Sequence, residues 1–166
     1  MDVKKLADLL NRDEVRGRIL RDFAHIDVEM DMALMFYFTT NKRYESFGEL
    51  VLPRLGPNDK ITILERLPYR KKYTSLRAIP LIRKIQQARN YLAHQTYVMD
   101  RDNKLQKANW TDLFKDYPAS YEKAVQTARA GLGRLINTNE FLDHFAPNRK
   151  YYNWETGKFE LPQRTE

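Results

Sequence analysis

Cysteine is absent from the 166-residue chain. Disulfide frameworks, thiolate nucleophiles and cysteine-ligated zinc are therefore excluded. Glycine and proline are sparse, at 6 and 7 residues, too few for a protein built from many tight turns. Histidine occurs only as His25, His94 and His144, with no His-x3-His spacing on which a three-ligand zinc site could be built. Long apolar runs are missing too. The most apolar stretch, "MALMFYF" from Met32 to Phe38, is far short of the roughly 20 residues that a membrane-spanning helix needs. The opening "MDVKKLADLL" carries an acid at Asp2 and no apolar core of the length of a secretory signal. These absences lead to the expectation of a cytoplasmic protein with no membrane segment, no metal and no cofactor.

What is present points to helices. Hydrophobic residues make up 42% and charged residues 31%, a globular composition rich in helix formers. The net charge of +7 is unevenly spread. Residues 1–58 carry 9 basic and 10 acidic side chains, residues 90–166 carry 11 and 10, and residues 59–89 carry 9 and 2. Positive charge gathered in one stretch attracts polyanions such as nucleic acid, although a charge run taken alone is more often a solvated helix face.

Apolar spacing predicts a short helix over 2–11, then a long one from Asp13 to Thr39 whose stripe includes Val15, Ile19, Phe23, Ile26, Met30, Ala33 and Leu34. "SFGELVLPRL" reads as a short helix stopped near Pro53. "GPNDKITILERL" restarts one, with Asn58 or Asp59 available as a cap. "PYRKKYTS" is a basic, aromatic connector. A helix capped by Ser75 is expected to run to about Met99, and a last one from Pro118 to Phe145. The expected architecture is all-α, an up-and-down bundle of four to five helices over residues 1–145. Residues 146–166 form a tail, in which "YYNWETGKFEL" could make a hairpin around Glu155–Gly157.

One helix carries polar residues where they need explaining. In "IQQARNYLAHQTYV", residues 85–98, each residue advances about 100° around the helix, which sets His94 about 180° from Ile85, Arg83 about 160°, Asn90 about 140° and Tyr97 about 120°. Leu81, Ala88, Leu92 and Met99 cluster on the opposite, core side. Asn90, His94 and Tyr97 thus fall on one polar face, pointing out of the monomer toward solvent, a partner or a substrate. Arg89 lies at the edge of the apolar stripe, where a buried guanidinium needs a carboxylate; Glu29 or Asp31 of the long helix is the expected partner. A bland alternative holds for Arg89, that of a helix-to-helix anchor with no chemistry.

The hexad "RNYLAH", from Arg89 to His94, resembles the R-x4-H motif of HEPN domains, a helical superfamily of ribonucleases and nucleotide-binding proteins. The resemblance covers roughly residues 15–145, with the long Glu29-bearing helix upstream and "KITILERL" between. It implies a dimerising bundle in which the motif helices of two copies meet, so that His94 would face the cleft between them. It also implies that Arg89, Asn90 and His94 act together on RNA. Some HEPN toxins carry a tyrosine two residues after the histidine, which an antitoxin modifies; here that position is Thr96, and Tyr97 is one further on.

The chemistry suits the residues. RNA supplies its own nucleophile, the 2′-OH. Histidine side chains move protons near neutral pH, and arginine offers a planar fork to phosphate oxygens. Asparagine can orient either group. The expected function is a metal-independent endoribonuclease, a toxin-like or antiphage effector with RNA, a second copy of the chain and an antitoxin or regulatory protein as partners. Arg70, Lys71, Lys72, Arg83 and Tyr97 are the expected RNA-binding residues. The competing expectation is a non-catalytic HEPN-type module that dimerises and binds a protein, a nucleotide or a nucleic acid. Metal chemistry has less to recommend it: "DRDN" at 100–103 lacks the glycine and glutamate of a calcium loop, and Asp27, Glu29 and Asp31 point three ways around their helix.

Overall fold

The computed structural model describes residues 2–39, 44–67, 78–99 and 101–137, together with the backbone of 151–153 and 158–160. Helix α1 spans Val3–Leu10, with the Asp2 carboxylate accepting the Lys4 N–H at 3.4 Å as its N-cap. Its apolar residues Leu6, Ala7 and Leu10 are buried. Helix α2, Asp13–Phe38, is the longest element. Asp13 and Glu14 in its first turn complement the positive end of the helix dipole. The stripe read from the sequence is the buried one: Val15, Ile19, Phe23, Ile26, Met30, Ala33 and Leu34. The helix closes at Thr39, whose backbone is extended and whose hydroxyl donates to the Met35 carbonyl at 2.6 Å.

Helix α3 is Tyr44–Leu50, followed by a 3-10 turn at Leu52–Arg54. A Cβ at Gly48 would lie 3.1 Å from the Met35 sulfur, so the missing side chain allows α3 to approach α2. Helix α4, Pro57–Arg66, opens with proline at its first position. Asp59 does cap it, but from inside the first turn: its carboxylate accepts the Gly56 N–H at 3.2 Å. Helix α5 spans Ala78–Ala93, and the short α6 spans Asn103–Gln106. A 3-10 turn at Thr111–Phe114 leads to α7, Ala119–Asn137. The expected continuation of α7 to Phe145 lies outside the described residues, as does Ser75. In the tail, β1 (Tyr151–Asn153) pairs antiparallel with β2 (Lys158–Glu160), in the register Tyr152 opposite Phe159. The two strands of the expected hairpin are thus paired, while its turn, expected around Glu155–Gly157, lies outside the described residues.

The fold is an all-α helical bundle. Helices α2, α5 and α7 pack on one another and α4 packs against α2 and α5. The described part has seven helices, more than the four to five expected, because the short α1, α3 and α6 add to the four longer ones. Ile19, Ile26, Met30 and Leu34 of α2, Ile61 and Leu64 of α4, Ile82 and Ile85 of α5 and Tyr121 of α7 are completely enclosed. No helix among the described residues is long and apolar enough to cross a membrane.

Polar ties set the helices in register. Lys60 of α4, only 4% exposed, donates to Asp27 of α2 at 3.0 Å, and its Nζ lies 2.7 Å from Asp31, so these two carboxylates, one turn apart, share a side of α2 and do not point apart as expected. Arg83 of α5 binds Glu65 of α4 through two parallel hydrogen bonds of 3.0 and 2.7 Å. Lys84 of α5 meets Asp112 at 2.5 Å, and Arg18 of α2 meets Glu122 of α7 at 2.8 Å.

Candidate functional site

Helix α5 does not reach Met99. It ends at Ala93, and His94 closes it by donating its backbone N–H to the Asn90 carbonyl at 3.3 Å. Nothing local in "AHQTYVM" forces that stop. The end is capped by Arg16 of α2, whose guanidinium Nη2 donates to the carbonyl of Leu92 at 3.0 Å and to that of Gln95. A cation at the carbonyl end of a helix satisfies acceptors that have no partner within it and opposes the dipole. The next residues are held by Asn11, between α1 and α2. Its side-chain N–H donates to the Val98 carbonyl at 2.8 Å, and its side-chain oxygen accepts the Val98 N–H at 2.8 Å. A third tie lies at the far end of the loop. The Tyr91 hydroxyl donates to Asp102 at 2.8 Å, and Asp102 also accepts the Lys104 N–H at 2.7 Å as the N-cap of α6. The Lys104 backbone N–H first, and the Tyr91 hydroxyl second, hold the Asp102 carboxyl below its ordinary range. Burial and the neighbouring Asp102 push the Tyr91 phenol up.

The shortened helix revises the expected polar face. Asn90 is on the last turn of α5, but Tyr97 is beyond the helix, so Asn90, His94 and Tyr97 do not stack along one helical side. His94 is exposed, as expected, at the end of the helix and not along it. Val98 is 1% exposed and seals the bundle, while its neighbours Tyr97 and Met99 are each 64% exposed.

Arg89 is half-buried, less enclosed than the buried guanidinium expected. Its surroundings differ from the expected ion pair. The guanidinium carbon sits 5.6 Å from the centre of the Phe23 ring, and Nη1 donates to the Asn90 side-chain oxygen at 3.0 Å. The carboxylates proposed for it are engaged elsewhere: Glu29 by Arg129 at 2.7 Å and Asp31 by Lys60. The assignment of Glu29 as the supporting partner of Arg89 is therefore corrected. Arg89 needs no buried carboxylate there, because an aromatic face and an amide oxygen lodge it while part of it stays in water.

Of the expected RNA-binding residues, Arg83 is bound by Glu65 and by Asn58 at 3.2 Å, so it is a clamp between α4 and α5 and not an open cation. Arg70, Lys71 and Lys72 lie outside the described residues. The residues missed from sequence are Asn11, Arg16, Tyr91 and Asp102, which fix the loop after His94. Each is an ordinary polar residue at a helix end, and its partner is known only once the helices are packed.

Two hollows border this region or lie apart from it. A cleft of about 440 Å³ is walled by Lys4 and Asp8 of α1 and by Tyr97, Met99 and Arg101 of the loop. A larger groove of about 590 Å³ runs between α2 and α7, with His25, Val28 and Met32 on one side and Arg129, Gly133 and Ile136 on the other. It holds none of Arg89, Asn90 and His94. Among the described residues, no group of three His, Asp or Glu side chains is gathered as a metal site would need.

Removing the Asn11 amide is expected to loosen the loop. Asn11→Ala leaves the Val98 N–H and carbonyl without partners and should lower unfolding free energy by about 1–3 kcal/mol. Urea unfolding measures the loss, and faster exchange of the Val98 amide locates it. No family model, curated protein or solved structure matches the chain.

Proposed function

We propose that the protein is a metal-independent endoribonuclease acting as a homodimer, with Arg89, Asn90 and His94 at its centre and a toxin-like or antiphage role. The observation that carries this reading is the 3.0 Å bond from Arg89 to the Asn90 side chain, one helical turn before an exposed His94. An amide oxygen that fixes a guanidinium plane leaves the remaining N–H groups of the fork for phosphate oxygens. The HEPN resemblance supports the same three residues.

The reaction needs two proton movements. The 2′-oxygen attacks phosphorus and gives up its proton to a base, while the P–O5′ bond breaks and the departing 5′-oxygen takes a proton from an acid. The products are a 2′,3′-cyclic phosphate and a 5′-OH. One imidazole cannot serve as acid and base in a single displacement, and two copies of the chain would bring two His94 side chains. Arg89 would balance the charge that builds on the phosphorane oxygens, and Asn90 is its positioning residue.

The test is incubation with unstructured RNA in EDTA, with analysis of the ends and light scattering on the same sample. The expected result is cyclic-phosphate ends made by a dimer. Cutting that requires magnesium, or none at all, overturns the reading. Arg89 over Phe23 would then be an anchor, as in a non-catalytic dimerising module.

A further inference from the structure

We propose that the cleft between α1 and the loop after α5 binds one nucleotide of a single-stranded RNA, with the base stacked on Tyr97 and the adjoining phosphates paired with Lys4 and Arg101. The ligand class rests on the ribonuclease reading; the site itself rests on the cleft's own geometry.

Ala7 and Val98, both buried, form its floor. Asn11 grips Val98 through both backbone groups at 2.8 Å. Val98 is 1% exposed between Tyr97 and Met99 at 64% each, so the grip that seats Val98 inward leaves both neighbours facing outward. The ring is therefore presented on a rigid support, and stacking on it would order little that is loose. Single exposed apolar residues are commonplace. Here two of them, each 64% exposed, share one short segment and stand between a lysine of α1 and an arginine of the loop. Aromatic faces interleaved with cations are the composition of single-strand binding grooves, where bases stack and phosphates pair. Among the described residues, Asp8 is the one carboxylate on the wall. It turns phosphate away from its end and can accept a hydrogen bond from a base edge, which suits a nucleotide better than a bare polyphosphate.

The position relative to His94 also fits. Tyr97 is three residues further along the chain, at most about 11 Å between α-carbons, so a nucleotide on Tyr97 would be near neighbour to one whose phosphate meets His94.

The experiment is fluorescence anisotropy with a labelled 2′-O-methyl oligonucleotide, which has no attacking hydroxyl and reports binding without cleavage. The wild type should bind, with affinity falling as salt rises. Tyr97→Ala should weaken binding on the order of ten-fold or more, and Tyr97→Phe should restore it, since stacking needs the ring and not the hydroxyl. Lys4→Gln with Arg101→Gln should flatten the logarithmic salt dependence by about 1.4, at about 0.7 for each phosphate left without its cation. All these side chains are exposed, so the variants should melt as the wild type does. The proposal is overturned if the wild type does not bind the oligonucleotide. It also fails if Tyr97→Ala and the double variant bind with unchanged affinity and salt slope. Displacement of the oligonucleotide by poly-glutamate at equal charge would overturn it too, marking a site for acidic polypeptides. Binding without cleavage of ordinary RNA would sink the ribonuclease reading and leave the cleft standing; cleavage with binding indifferent to Tyr97 would do the reverse.

Discussion

His94→Ala is expected to slow RNA cleavage at neutral pH by a factor on the order of 10²–10⁴, the usual worth of one positioned acid or base. The melting temperature should not move. His94 is exposed and its backbone bond to Asn90 survives the substitution, so folding gives the side chain nothing to do. The clean separation of rate from stability is what makes this variant decisive. Arg89→Ala would be a poorer instrument, because it also strips the cation from Phe23 and leaves the Asn90 oxygen without its 3.0 Å donor. A His94→Ala protein that cuts as fast as the wild type would remove the imidazole from the mechanism. Growth arrest on expression, present with the wild type and absent with the variant, would carry the same comparison into cells.

Lys60→Met is expected to destabilise the bundle by about 3 kcal/mol, the lower end of the range for breaking a buried pair. The Lys60 side chain is 5% exposed, while its partners Asp27 and Asp31 keep 30% and 27% of their side-chain surface open. Water can therefore soften the repulsion of two carboxylates left facing each other, which is why the lower end applies. The lysine faces two acids, so one formal negative charge of the trio has no cation to offset it. Burial pushes the Asp31 carboxyl above its ordinary range, Lys60 pulls it back and Asp27 adds to the rise. A carboxyl whose folded value is raised binds more protons folded than unfolded. Its contribution to stability is therefore full below the unfolded aspartate range and is lost as pH climbs through the raised value. Asp31→Asn should erase that decline and leave a balanced Lys60–Asp27 pair. Lys60→Met combined with Asp27→Asn and Asp31→Asn should recover much of the stability lost by Lys60→Met alone. Urea titrations from acid to neutral pH measure all three; a Lys60→Met loss below about 1 kcal/mol, the median worth of a surface ion pair, would sink the argument.

The buried stripes could be read from the sequence because helical period is a local property. Val15, Ile19, Phe23, Ile26 and Met30 announce their common face by spacing alone, and they are the residues enclosed in α2. The place of Arg89 at the edge of the stripe followed from the same wheel, but its burial was overestimated, and His94 is exposed at a position past the end of α5, where the wheel no longer applies. The end of α5 did not follow from it, since Gln95–Met99 contains no breaker and the residues that cap and hold it, Arg16 and Asn11, come from the other end of the described chain. Charge along the chain meets a related limit. Lys60, Arg83 and Lys84 sit in a basic stretch, yet Asp27 and Asp31, Glu65 and Asp112 meet them in space. A sum over neighbours in sequence misses partners brought in by packing, so an excess of cations along the chain is a weaker guide to an open positive surface than it looks.

The ties that seat the loop span long distances in sequence: 76 and 79 residues from Arg16, and 87 from Asn11. Closing so large a loop is entropically uphill and is repaid only when the distant ends meet. During synthesis the first helices must therefore wait for residue 98 to emerge before the histidine's surroundings can take shape. Because both clasps straddle the junction of α1 and α2, peeling that corner away would release the loop in the same event. The start of the chain and the Arg89–His94 hexad then belong to one cooperative opening unit, and a disturbance at the N-terminal helix would be felt at His94.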